Sequence, residues 1–597
     1  MIIPIFIVLF VIIVLVAGLY MNRVKPTILF MGAIVVLLIA SGFTEKWLNI
    51  SIISPKEALS GFANEQLAII VILLILGNVF RKSSTINSLF SRFLKKTDSP
   101  KVFLIKLLTS VGISSSVFNN TPLVAMMMPY VYNWSKQKGL SPSKFLMPLS
   151  FASILGGCIT VIGTSTLLIV SGMAEEAGLP PINLFDVTPV GLAMFLIGVL
   201  FLIFTQKWLP AQETRNSKLG DQLRQFFLET HVEKGASIIG KTPQSAGLRN
   251  LEGLFLVEII RKEKAIRPVS SEEILEEGDI LFFAGELKHI EGVNLEKLGL
   301  SLPKSCNMSE GQLADMAEVV VSHRSGLSGR EIRKSNFRSK FDAAIVAIHR
   351  NGERVWGHLG RIILKPGDVL LLLTGKDFKK KIDQNPDFYV ISKINKEKEI
   401  SIKKLSGILL GMVLAIFLTA LNVISLFKSL LILLMFVVVT KIANIKDIRN
   451  AVDFNLILII GLGLALGKAM VNSGAASMIS NVLIHLSSGG NPILLLFLIF
   501  VSTTFLAAVI TSKAAVAITF PISVQIAQSI GADVTPFILV VAFAGAANFI
   551  TPIGYQTNLM VYGPGGYNFK DFFKIGFPLT IIYMVVTILI LIFLYQM

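Results

Sequence analysis

Histidine, cysteine and acidic side chains are scarce in this 597-residue chain. Each shortage excludes something. Of the six histidines only His485 lies outside the polar middle of the chain, and no pair has metal-ligand spacing. Cys158 and Cys306 stand alone in different surroundings, which argues against a disulfide framework. There is no Walker loop, nucleophile elbow or metal cluster, so neither an enzyme nor an organic cofactor is expected. The net charge of +17 comes with no nucleic-acid motif. In a membrane protein such an excess reflects Lys- and Arg-rich cytoplasmic loops, so no nucleic-acid partner is expected. The N-terminus, MIIPIFIVLFVIIVLVAGLY, lacks a basic leader and a small-residue cleavage site and reads as a first span.

Apolar residues are abundant. They make up 53% of the chain, and the mean hydropathy is +0.70. Several runs reach the roughly 20 residues that a bilayer core requires. Spans are expected near 2–20, 27–41, 66–80 and 187–206, and again near 402–420, 425–442, 453–470 and 575–596. Arg81–Lys101, with Ile86, Leu89, Phe90 and Leu94 at helical spacing, predicts a helix on the membrane surface, as does 476–487.

One stretch is written twice. Ser114–Pro129, SSSVFNNTPLVAMMMP, returns as Thr504–Pro521, TFLAAVITSKAAVAITFP. Aligning Pro129 with Pro521 sets Asn119, Asn120 and Thr121 against Thr511, Ser512 and Lys513. Each copy is followed by a second shared motif. GGCITVIGTSTLLIV (Gly156–Val170) pairs with ANFITPIGYQTNLMV (Ala547–Val561), and Gly163 falls on Gly554. The first copies predict a re-entrant hairpin over about 102–134 and a span over 145–172 broken at Gly163–Thr166. The second predict a hairpin over about 491–530, with its tip near Thr511–Lys513, and a broken span over 534–562. Irregular backbone at membrane depth is tolerated only where protein or water covers it. Its repetition in two halves is the best sequence pointer to a transporter binding site.

About five spans plus one hairpin per half is an odd count, which makes the halves inverted. Lys and Arg gather on one side of this tracing, while Glu175, Glu176 and Asp186 fall on the other. The basic side is expected to be cytoplasmic and both termini extracytoplasmic. The domains are then 1–209 and 396–597, two membrane repeats around an insert of two β-rich modules, 210–309 and 310–395. In the insert Gly278–Phe283, GDILFF, matches Gly367–Leu372, GDVLLL. The fold class expected is an α-helical polytopic membrane protein with a cytoplasmic α+β insert.

The paired hairpins, the GGxxTxIGT run and the phrase TPIGYQTNLMVYGPGGY resemble the divalent anion/sodium symporter family within the ion transporter superfamily. The insert resembles a pair of TrkA C-terminal (RCK-C) domains, a combination typical of the sulfate-permease branch. The resemblance implies an elevator-type homodimer in the cell (inner) membrane that carries a small dianion, sulfate first and a dicarboxylate second, with sodium. It leaves a small regulatory ligand for the insert, such as a cyclic nucleotide or dinucleotide, as an analogy.

Such an anion needs many donors in a small space, supplied by amides, hydroxyls and the N–H groups of helix N-termini. Asn120, Thr121, Thr164, Ser165, Ser512, Lys513, Thr551 and Thr557 are the expected substrate ligands. Ser115, Asn119, Asn120 and Gly163 are the expected sodium shell, agreeing with the family pattern. The plain alternative is that small polar residues only join helices. The tips differ, since Ser115, Asn120 and Thr121 become Ala507, Ser512 and Lys513. A lysine at mid-membrane costs about 2.5–3.5 kcal/mol on insertion scales, which argues for a role. Lys513 is expected to stand in for a sodium ion and to reduce or remove sodium dependence. The alternative class is an anion channel or facilitator gated by the insert. The repeated hairpins favour a carrier, because a channel more often shows a filter or charge ring.

Overall fold

The computed structural model describes residues 2–21, 24, 26–81, 99–180 and 182–210 and, with interruptions, 227–390 and 402–597. Most of the surface helix expected over Arg81–Lys101 lies outside the described residues, as does Cys306.

The first half opens with α1 (Ile2–Met21) and α2 (Pro26–Leu48). Both are apolar on nearly every side, and Phe6, Phe10 and Phe43 project from them exposed. Helices of this composition and length face lipid. Next, α3 (Pro55–Ser60) starts at a Ser54–Glu57 capping box and Pro55. The sequence pattern did not foretell it. The chain then bends by 42° into α4 (Glu65–Arg81). Asn64 causes the restart, because its Oδ1 accepts from the backbone N–H of Gln66 and Leu67.

The first hairpin consists of α5 (Pro100–Ser115) and α6 (Asn120–Gln137). The broken span follows as α7 (Ser143–Gly157) and α8 (Ser165–Glu176), and α9 (Thr188–Thr205) closes the half. The break runs from Cys158 to Thr164, earlier than expected, so Ser165 and Thr166 are helical. Gly156 and Gly157, poor helix formers, end α7 early.

The second half runs α10 (Ile402–Ala420), α11 (Leu426–Val439), α12 (Phe454–Ser473) and α13 (Ala475–Leu486). Its hairpin is α14 (Pro492–Val509) and α15 (Ser512–Ser529). Its broken span is α16 (Val534–Ala546) and α17 (Gln556–Tyr562), and α18 (Phe569–Tyr595) ends the chain. Among the described residues six helices are long and apolar enough to cross a bilayer, or seven with the bent pair. One apolar core joins both halves.

Two glycines explain both breaks. A Cβ on Gly163 would lie 2.5 Å from the Gly157 carbonyl oxygen and 2.6 Å from that of Ser115. On Gly554 it would lie 1.9 Å from Asn548 Nδ2. In each half the break is pressed against neighbouring polar groups, and only a residue without a side chain fits.

Among the described residues the insert holds two five-stranded antiparallel sheets. The first comprises β1 (Phe227–Val232), β2 (Leu254–Arg261), β3 (Lys264–Ile266), β4 (Ile280–Gly285) and β5 (Leu300–Ser301), in the order β3-β2-β4-β1-β5. The second comprises β6 (Met316–Val321), β7 (Ala343–Arg350), β8 (Glu353–Arg354), β9 (Val369–Thr374) and β10 (Phe388–Val390), in the order β10-β6-β9-β7-β8. This is one topology read from opposite edges. Both carry a bulge at the same place, between Leu256 and Glu258 and between Ile345 and Ala347.

Each sheet also has the same ionic clamp. Arg261 Nε and Nη2 hold Asp279 at 2.8 Å each, and Arg350 holds Asp368 at 2.7 and 2.8 Å. Asp279 and Asp368 belong to the repeated Gly-Asp turns. The clamp raises the pKa of both guanidinium groups above the usual arginine range through the side-chain bond to the aspartate.

The two sheets pack against each other through Phe282, Val346, Ala347, Leu371 and Leu373. Arg338 bridges them by donating to the carbonyls of Val269 and Leu256, at 3.0 and 3.4 Å. Among the described residues the second sheet meets the main apolar core through Val320, Val369 and Tyr389.

Candidate functional site

The candidate residues gather at the tips of the hairpins and the breaks of the divided spans. At the first tip Asn119 caps α6, its Oδ1 accepting from the Thr121 N–H at 3.3 Å. At the second, Thr511 caps α15 by accepting from the Ala514 N–H at 3.3 Å. The first-turn N–H groups of α6, α8 and α15 have no partner within their own helices. These are the positive ends of the helix dipoles, which favour an anion.

Asn120 is buried, and its amide lies between two sets of partners. On one side are Ser115 Oγ and the carbonyls of Ser153 and Gly163, and on the other is the Tyr555 hydroxyl at 2.7 Å. With its nitrogen inward the amide donates to the Ser153 and Gly163 carbonyls at 3.0 and 3.2 Å while Oδ1 accepts from Tyr555. We assign this orientation, because carbonyls only accept. Ser115, also buried, donates to the Ser153 carbonyl at 2.8 Å. Turned the other way, the amide adds a fourth oxygen to Ser115 Oγ and the two carbonyls. Four converging oxygens are the donor set a hard cation takes.

Beside it, Thr121 Oγ1 donates to Gln556 Oε1 at 2.9 Å. Thr164, buried, shares a 2.9 Å hydrogen bond with the Tyr555 hydroxyl. Ser165 is half-buried in the first turn of α8. The structure therefore brings Ser115, Asn119, Asn120, Thr121, Gly163, Thr164 and Ser165 together, joined to residues from the other end of the chain.

The second-half candidates are arranged differently. Ser512 Oγ donates to the Gly554 carbonyl at 3.4 Å. Lys513 is half-buried in the first turn of α15. Thr551 Oγ1 donates to the Ala508 carbonyl at 3.3 Å and accepts from Gly554 N–H at 3.2 Å. Its repeat mate Thr160 makes the same bond to the Ser116 carbonyl, so this threonine ties break to tip in both halves. Thr557 is fully buried and accepts from Ser150 Oγ at 2.8 Å.

Sequence reasoning missed Tyr555, Gln556, Ser150, Ser153, Asn548 and Asn558. Asn558 Nδ2 donates to the Asn548 carbonyl at 2.8 Å, and Asn548 Nδ2 to that of Ala507 at 2.7 Å, so both hold the second break together. A signal for Tyr555 and Gln556 existed, because they follow Gly554 as Thr164 and Ser165 follow Gly163.

Comparison with known proteins agrees with this architecture. The family profile described as "Citrate transporter" matches residues 7–485 and 416–597. A Chlamydomonas reinhardtii protein named "Putative sulfur deprivation response regulator" is 31% identical, over 90% of this chain and 94% of its own length. An uncharacterized transporter of Synechocystis sp. is 29% identical, over 92% and 91%. Sodium/sulfate cotransporter 1 of Chlamydomonas reinhardtii is 28% identical over 54% of this chain and 39% of its own length. With multiple apolar helices and a profile match spanning both halves, this chain is a multi-pass membrane transporter that belongs to the citrate transporter family.

Proposed function

We propose that this protein is a secondary active transporter of a small divalent anion, sulfate first and a dicarboxylate second. The observation that carries this reading is the cross-chain site. Asn120 and Thr121 are bonded to Tyr555 and Gln556 across 435 residues, beside helix N-termini. That arrangement gathers neutral donors without a carboxylate, which suits an anion. The names of the sodium/sulfate cotransporters favour sulfate, and the family description favours a carboxylate as the second reading.

Sodium is read as cargo held by Ser115, Asn119, Asn120 and Gly163, with the Asn120 oxygen turned inward. Substrate is read as bound by Asn120, Thr121, Thr164, Ser165, Ser512 and Lys513. Thr551 ties the second break to its tip, and Thr557 is bonded to Ser150 of the first broken span. Lys513 brings a fixed positive charge where the first tip has Thr121, so it replaces one sodium ion and lowers the sodium requirement. The two halves act as inverted repeats in a homodimer that works by an elevator motion in the inner membrane, with both termini outside.

The insert, 210–395, is read as a cytoplasmic regulatory pair of RCK-C type. Its reach to the site is through the second sheet. A Cβ on Gly563, just after α17, would lie 2.2 Å from the Gly367 carbonyl oxygen, and Gly367 abuts Leu559. The test is uptake of labelled sulfate into proteoliposomes, with and without an inward sodium gradient and with succinate and citrate as competitors. Saturable uptake with trans-stimulation supports the carrier. Non-saturating flux supports the gated channel instead.

A further inference from the structure

Thr164 and Tyr555 occupy one place in the two halves. Each follows the break glycine and directly precedes a helix. Their backbones coincide, with φ −131° and ψ 137° at Thr164 and φ −135° and ψ 136° at Tyr555. What differs is size. Where the first half puts Thr164 and Ser165, the second puts a phenol and a long amide, and both reach across to the first tip. The Tyr555 hydroxyl meets Asn120 at 2.7 Å and Thr164 at 2.9 Å, and Gln556 Oε1 meets Thr121 at 2.9 Å.

We propose that Tyr555 and Gln556 are specificity-determining residues that shorten the site to fit a compact tetrahedral oxyanion and exclude an elongated dicarboxylate. This rests on the anion-transport reading given above. A dicarboxylate separates its two charges along a carbon chain and needs two groups of donors set apart. Here Tyr555 and Gln556 reach from the second break to the first tip, and they bring donors with them. The Gln556 amide accepts from Thr121 through its oxygen and keeps its NH2 group as a donor, and the tyrosine hydroxyl donates or accepts. A tetrahedral oxyanion accepts from all sides and fits such a short, donor-rich space. Bulk that blocks a longer competitor, combined with polar groups that reward the right one, is how pockets discriminate.

The experiment measures labelled sulfate uptake by the full-length protein in proteoliposomes, with unlabelled succinate as competitor. The double variant Tyr555→Thr, Gln556→Ser gives the second half the residues of the first. Succinate should compete at least about tenfold better relative to sulfate, in the range that a pocket-size change supplies. Tyr555→Phe keeps the ring and removes the hydroxyl. It should raise KM for sulfate while succinate stays a weak competitor. An unchanged succinate-to-sulfate ratio in a double variant that still takes up sulfate overturns the inference. So does a Tyr555→Phe protein that accepts succinate as well as sulfate, a readout available even if the double variant does not fold. A merely structural role would lower uptake of both anions and leave their ratio alone. If wild-type protein neither takes up nor is thermally stabilised by either anion, the transport reading itself fails, and that outcome is distinct.

Discussion

The two hairpin tips share a backbone plan and differ in what holds them. The first tip is braced across the molecule. Asn120 and Thr121 bond to Tyr555 and Gln556, and Thr164 joins the same tyrosine. The second tip is tied within its own half, Ser512 to the Gly554 carbonyl and Thr551 to the Ala508 carbonyl. It also carries a charge, Lys513, where the first carries a hydroxyl. A repeat can therefore keep its architecture while its halves divide the chemistry. In the proposed reading one becomes the neutral, cross-linked side of the site and the other its cationic side.

The largest effect should come from removing that charge. Lys513→Ala should reduce uptake to background, a loss of at least about a hundredfold or ~2.7 kcal/mol, with thermal stability little changed. Lys513→Asn with Ala507→Thr should restore a sodium requirement. Wild-type uptake against sodium sharpens the same point. A Hill coefficient near or above about 2 would mean two or more coupled sodium sites and would sink the idea of a tethered cation.

The brace comes second. Asn120→Ala leaves the buried Ser153 and Gly163 carbonyls without their amide, a cost of about 1–3 kcal/mol. Both the melting temperature and uptake should fall, uptake by about ten- to a hundredfold. Thr121→Val removes a single hydrogen bond, worth about 1 kcal/mol, and should lower uptake about fivefold. If both variants retain near-normal uptake, the first tip is not part of the site.

The smallest effect should lie farthest from the tips. Gly563→Ala forces the Gly367 carbonyl away and should loosen the insert from α17. Sulfate binding, read by thermal shift, should stay within about twofold while transport rate changes. Deleting residues 210–395 should do the same. Loss of binding from a folded deletion protein would mean that the insert was misread.

Much of this architecture was legible in the chain. The hairpins and breaks are marked by Gly, Pro, Asn and Thr inside apolar runs, because backbone irregularity at membrane depth requires those residues. The two sheets announced themselves through their Gly-Asp turns, and the bulges and arginine clamps repeat with them. Other features were not legible. The short α3 helix depends on a local capping box, Ser54 with Glu57, and the restart into α4 depends on one side chain, Asn64. The helix end set by the Gly156–Gly157 pair starts the first break several residues earlier than its motif suggests. Above all, the bonds from Asn120 and Thr121 to Tyr555 and Gln556 leave no local mark. Pattern reading sees periodicity within a window, and these partners meet only through the packing of two distant halves. The repeat register was the one route to them.

That separation has a consequence in time. Asn120 and Tyr555 lie 435 residues apart, and a ribosome adding about 5–20 residues per second delivers the tyrosine roughly 20–90 s after the asparagine. Until then the first tip sits in the membrane without its partner. It is not left bare, because Ser115, Ser153 and Gly163 come from its own half and already surround the amide. The N-terminal half can thus be inserted with the Asn120 amide nitrogen already bonded, while Asn120 Oδ1, Thr121 and Thr164 meet Tyr555 and Gln556, and the proposed site is completed, only when the last helices of the chain arrive.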